Sequence, residues 1–130
     1  MPAVGVENDD LNQYRAQMTA ASRVANIPAP LDSVTTCIDE VAVIQRDTLN
    51  GKRWEFAGKL CIHPKQVAIV NGCCAPSAVD VAWAKRVLDA SGRANSAALC
   101  VDGKMVDRPV VLRAQRIVEL ASSASAARMD

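Results

Sequence analysis

Gly58-Lys59-Leu60-Cys61-Ile62-His63-Pro64 is a short, mostly apolar run enclosed between a glycine and a His-Pro pair. Residues 59–62 suit a strand buried on both faces, as in a parallel sheet covered by helices. A helical pattern follows at once. Pro64 has its φ angle pre-set for a first helical turn and lacks only a donor that would be unpaired there. The stretch therefore predicts a strand, a sharp turn and a helix. His63, the one histidine of the chain, falls at that turn, the strand end where parallel α/β folds bind their ligands.

Working upstream, Asn8 or Asp9 suits the cap of a helix reaching about Ala25, with Leu11, Tyr14, Met18, Ala21 and Val24 on one apolar face. Asn26 suits the left-handed residue that ends it. Ile27-Pro28-Ala29-Pro30-Leu31-Asp32 predicts a short extended segment, which Asp32 closes as a turn former, and residues 33–37 read as a loop. Asp39 is placed to cap a second helix with Val41, Ile44 and Thr48 or Leu49 inward. Asn50-Gly51 reads as its stop, although residues 52–56 allow a further turn with Gly51 inside. Residues 3–6 suit a frayed strand end. Two βα units in succession predict a parallel sheet or barrel segment with right-handed crossovers.

Downstream, the helix from Pro64 to about Cys73 places Val67, Val70 and Cys74 inward. The chain then changes character. Ser77 and Asp80 stand in capping-box positions for a helix that stops at Gly92, with Trp83, Val87 and Ala90 or Ala84, Leu88 and Ser91 toward a core. After a polar link at 93–96, two short apolar runs flank Asp102-Gly103, the dipeptide favoured in two-residue hairpin turns. Asp107-Arg108-Pro109 opens a last helix with the cleanest stripe in the chain: Val110, Ala114, Ile117, Val118 and Ala121. Residues 122–130 are expected to fray.

The 130 residues suffice for one domain but not for a (β/α)8 barrel, which takes about 250 residues. If the units are barrel units, only part of a barrel is present. The 15 basic and 14 acidic residues leave a formal charge of +1, no electrostatic case for nucleic acid or an anionic membrane. Aromatic residues, at 3%, offer no stacking platform for single strands. Five cysteines, an odd number without CxxC spacing or a leader peptide, suggest reduced thiols in the cytosol. Cys61 and His63 lack the second pair that zinc requires, so a buried structural thiol is expected of Cys61. No apolar run approaches the roughly 20 residues of a membrane span.

Two residues carry the chemistry, each beside an ordinary structural role. His63 suits a hydrogen bond to substrate at the strand end, or a cap on the helix that follows. Asp107, immediately before a helix with Pro in its first turn, is an N-cap worth about 1 kcal/mol. Equally, it is a carboxylate at a hairpin-to-helix corner, where it can serve another active site as general acid or base. Arg108, Arg113 and Arg116 read as a solvated basic face. Neither a phosphate-binding glycine loop nor a Ser-His-Asp arrangement is present.

The runs Gly58-Lys59-Leu60-Cys61-Ile62-His63-Pro64 and Asp102-Gly103-Lys104-Met105-Val106-Asp107-Arg108-Pro109, with Ile27-Pro28-Ala29-Pro30-Leu31-Asp32 and Val81-Ala82-Trp83-Ala84, closely resemble the C-terminal part of citrate lyase beta-subunit-like proteins of the HpcH/HpaI aldolase family. The resemblance implies an α/β fold: a partial TIM (β/α)8 barrel, its last two βα units at 1–75, then a helical C-terminal extension with a small hairpin at 76–130. It implies carbon-carbon cleavage of a citryl-, malyl- or citramalyl-CoA-like ester into an acyl-CoA and a 2-oxo acid, with Mg2+ as cofactor. Asp107 matches the family's lid aspartate, carried over a neighbouring subunit's site. His63 and Pro64 match the turn near the CoA channel and are the candidate substrate-binding residues. The metal-binding Glu and Asp and a substrate-binding Arg of the family are expected before Met1, and Val4 stands where the family often has Asp. No metal ligand is therefore expected in this chain, and no catalysis by it alone. A homo-oligomer, or association with a full-length lyase subunit, is implied. The rival reading is a non-catalytic interaction module.

Overall fold

The computed structural model describes residues 8–93 and 99–126, so the readings of 3–6 as a strand end and of most of the 93–96 link lie outside the described residues. The chain divides into two compact units, Met1–Cys74 and Ala75–Asp130.

In the first unit a 3-10 turn at Asn8–Leu11 leads into α1 (Asn12–Val24). The helix ends as its sequence suggests, with Asn26 at φ 54°. Its buried side is not the apolar one. Tyr14, Met18 and Val24 are exposed, and Arg15 is the residue covered. Two strands follow, β1 (Leu31–Asp32) and β2 (Gly58–Lys59), paired in parallel with Leu31 opposite Gly58 and Asp32 opposite Lys59.

Between them lies α2 (Val41–Arg53), whose N-cap is Glu40 without a side-chain bond. Asp39, expected there, instead forms an ion pair with Lys65 at 2.8 Å. Gly51 does not stop α2; it sits buried inside it, because the helix must pass close over Asp32. Ile44 and Thr48 face inward as their spacing predicts, whereas Val41 and Leu49 stay exposed. The expected four-residue strand at 59–62 shortens to Gly58–Lys59. It is not buried on both faces either, since Leu60, Cys61 and Ile62 are exposed. α3 (Pro64–Cys74) begins at Pro64 as predicted, but its covered residues are Val70 and Gln66, not Val67.

In the second unit the capping box at the start of α4 (Ala78–Arg93) is complete. The Asp80 amide donates to Ser77 Oγ at 3.1 Å, and the Ser77 amide and hydroxyl donate to Asp80 Oδ2 at 3.2 and 2.6 Å. β3 (Leu99–Val101) and β4 (Lys104–Val106) form the antiparallel hairpin, and its turn has φ 52° at Asp102 and 75° at Gly103. Positive φ at both turn residues matches the strand twist, which is why Asp-Gly signals it. α5 (Arg108–Ala126) lays its stripe against α4: Ala84, Val87 and Ala114 are fully buried, with Trp83, Leu88, Val110 and Ile117 packed around them. Full burial of a residue such as Val87 stabilises the unit by about 1.5–3 kcal/mol.

Taken as one stretch, Pro64–Arg93 contains a window with mean hydropathy 1.4, apolar enough by length and composition to cross a membrane. That corrects the expectation that no such stretch exists. The helix is interrupted, however, at 75–77, leaving segments of 11 and 16 residues, each short of the roughly 20 a span needs.

Candidate functional site

The parallel pairing puts Asp32 and Lys59 side by side at the carboxyl ends of β1 and β2, where such sheets position ligand-binding residues. The pair continues one step beyond the strands, through the Leu60 amide donating to the Asp32 carbonyl at 3.0 Å. Asp32, 4% exposed, is not the turn former the sequence suggests. Arg15 Nε donates to both of its oxygens, at 3.1 and 3.2 Å, and the Ser33 amide to Oδ1 at 2.9 Å. Arg15 is itself 3% exposed. Its Nη1 donates to Asn12 Oδ1, which also accepts from Asn50 Nδ2. α1 therefore turns its charged side inward to meet a carboxylate that the strand end buries.

The side chain of Lys59 is 2% exposed; its Nζ donates to the Ser33 carbonyl at 2.6 Å and lies 4.0 Å from Asp32 Oδ2. Burial pushes the ammonium below the ordinary lysine range, opposed by the nearby Asp32 and Asp47 carboxylates. The linkage follows directly. Below the folded-state pKa the buried charge costs stability. As pH rises through that pKa toward the ordinary lysine value, the unfolded chain binds the extra proton and stability rises. Urea midpoints measured across the alkaline range are expected to climb in that window, and Lys59→Met is expected to flatten the climb.

Around this cluster the loops are tied by other buried groups. Thr35 Oγ1 donates to Asp47 Oδ2 at 3.0 Å. Gln66 Nε2 donates to the carbonyls of Thr35 and Cys37 at 2.8 and 2.9 Å, while its Oε1 accepts from the Ile62 amide at 2.9 Å. One side chain thus joins the loop after β1 to the turn after β2. Arg15, Lys59, Asp47 and Gln66 were not singled out by the sequence reading. The available signal was an Asp and a Lys at the ends of two strands that pair in parallel.

His63 and Pro64 stand at the start of α3. His63 Nδ1 accepts from the Lys65 amide at 3.2 Å, which is the capping geometry and leaves Nε2 as the ring's donor. Asp107 stands at the start of α5 in the other unit. It is exposed, and Oδ1 accepts from the Val110 amide at 3.2 Å. Oδ2 has no hydrogen-bond partner among the described residues. The five thiols are free, and Cys61 is exposed rather than buried. Among the described residues no three His, Cys, Asp or Glu side chains come together to hold a metal ion.

No protein-family model matches the chain. The citrate lyase subunit beta-like protein of Deinococcus radiodurans is 34% identical over 107 residues, 80% of this chain and 37% of that protein. Citrate lyase subunit beta of Leuconostoc mesenteroides subsp. cremoris is 35% identical over 120 residues, 90% of this chain and 39% of the relative. The chain thus spans a little over a third of the length of these relatives. The crystal structure of CitE from Mycobacterium tuberculosis, in complex with magnesium, acetoacetate and coenzyme A, superposes with a TM-score of 0.78 at 30% identity, covering 94% of this chain and 45% of that one.

Proposed function

We propose, on the premise that this chain is a homologue of the citrate lyase subunit beta-like proteins, that it is the C-terminal portion of an acyl-CoA carbon-carbon lyase. In this reading the first unit is the last two βα units of a TIM barrel, and the second is a lid that supplies Asp107. The observation that carries it is the uncovered face of the parallel pair. Asp32 and Lys59 turn toward α1 and α2, so by alternation Leu31 and Leu60 occupy the opposite face, and they are 56% and 52% exposed. A parallel sheet is ordinarily covered on both faces, and an apolar face beside open strand edges calls for further chain to close it. The missing cover is assigned to the rest of a lyase barrel, held by a full-length subunit or by another copy in an oligomer.

Mg2+ and acyl-CoA come to the reaction from this kinship. The described residues do not fit a Mg2+ site, because no suitable group of ligands is assembled among them and Asp32 is committed to Arg15. The ion's ligands belong to the barrel portion beyond this chain. Asp107 uses Oδ1 to hold the start of α5 and leaves Oδ2 to exchange a proton with the acyl-CoA fragment. His63 offers an Nε2 proton toward the ester, oriented by the Lys65 amide. The setting is the cytosol, in keeping with five free thiols.

Complementation tests the reading. The purified chain, mixed with a full-length homologue lacking the aspartate equivalent to Asp107, is expected to restore citramalyl-CoA or citryl-CoA cleavage. Asp107→Asn is expected to abolish the rescue by about 100-fold or more, the lower end of acid-base contributions. Its melting temperature should hardly move, since Asn also caps. Binding without rescued turnover would identify the chain as a non-catalytic interaction module instead.

A further inference from the structure

The second unit contains a concavity of about 320 Å³ between the hairpin and the two helices. Its apolar walls are Trp83, Val101, Val106, Val110 and Ile117, and two cations, Lys104 and Arg113, stand on its lining. Neither cation has a carboxylate partner among the described residues, whereas Arg86 is paired with Asp102 and Arg116 with Glu119. The Arg113 guanidinium lies 5.9 Å from the centre of the Trp83 ring, which presents it over the aromatic wall. The acidic group on the lining, Asp80, accepts from the amide and hydroxyl of Ser77.

An aliphatic floor, one aromatic wall and two cations against the single Asp80 carboxylate leave the lining net positive and complementary to a small anion with an apolar body. We infer that this concavity binds a small amphipathic carboxylate, its apolar body among the valines and Trp83 and its carboxylate between Lys104 and Arg113. The volume lies at the lower end for ligand pockets, so the occupant is small. Arg113 supplies planar donors that match a carboxylate, and Lys104 a mobile charge on the exposed hairpin. The inference needs only the second unit and stands whether or not the chain takes part in a lyase.

Hexanoate, hexan-1-ol and hexylammonium are the probes, titrated into the full chain by calorimetry and followed by saturation-transfer NMR. Hexanoate is expected to saturate with a Kd of about 1 mM or tighter, within reach of a ligand of its size. Hexylammonium is expected to bind at least about tenfold more weakly, because its charge faces the two cations. The double variant Lys104→Gln/Arg113→Gln changes exposed side chains, so its circular dichroism should match wild type while the preference for hexanoate disappears. Val110→Trp should block all three probes. The inference is overturned if hexanoate binds no better than hexylammonium, if no saturable binding occurs by tens of millimolar, or if the preference survives the double variant.

Discussion

Gly51→Ala is expected to destabilise the first unit by about 3 kcal/mol, the combined effect of overpacking and a disturbed buried ion pair. A Cβ built on Gly51 lies 2.5 Å from Asp32 Oδ2, with Asp32 Cγ and Cβ at 3.2 and 3.3 Å. A free side chain would swing away. Asp32 cannot do so cheaply, since Arg15 and the Ser33 amide hold its oxygens. Alanine is the better helix former by about 0.5–1 kcal/mol, but that gain is smaller than the clash. Gly72→Ala is the control. Gly72 also lies within a helix, α3, but nothing stands within 4 Å of its Cβ position, so a gain of about 0.4–1 kcal/mol is expected. Paired urea melts decide the matter. Equal stabilities would show that α2 does not press on Asp32.

Asp32→Ala is expected to cost about 3–5 kcal/mol, the usual penalty for removing one partner from a buried ion pair. Arg15 is always charged and would be left without the carboxylate that both its 3.1 and 3.2 Å bonds address. Lys59 would lose the more effective of the two carboxylates that oppose its desolvation. The second effect has a distinct readout. With Asp32 gone, the lysine pKa falls further, so the alkaline rise in stability begins at lower pH than in wild type. Lys59→Met in the Asp32→Ala background should remove that rise and recover part of the stability, because a neutral side chain is cheaper to bury than an unmatched ammonium. A loss below about 1 kcal/mol would place Asp32 among surface pairs of little weight.

The second unit was largely legible from its residues, because its elements are specified locally. Ser77 with Asp80 marks the start of α4, Asp102-Gly103 the hairpin, Asp107 the start of α5, and the stripe at 110, 114, 117 and 118 its packed side. Each reading needs only a few consecutive residues. The first unit was legible in element order but misread in its faces. Apolar periodicity assigned Tyr14, Met18 and Val67 inward, yet the interior holds Arg15 and Gln66, because the groups they meet come from elsewhere in the chain: Asp32 for one, the Thr35 and Cys37 carbonyls for the other. Periodicity along one segment cannot anticipate a charge supplied by another. The short strand was misjudged for a related reason, since Leu60 and Ile62 are apolar yet exposed. As for the candidate site, the positions of His63 and Asp107 at helix starts were readable, and both serve as caps there.

The reciprocal bonds between Ser77 and Asp80 close within four residues and draw on neither Met1–Cys74 nor the hairpin. A helix that carries its own starting signal tolerates a change of whatever comes before it. That spot is accordingly a natural seam, at which gene rearrangement could exchange or re-join whole segments without unravelling what lies downstream.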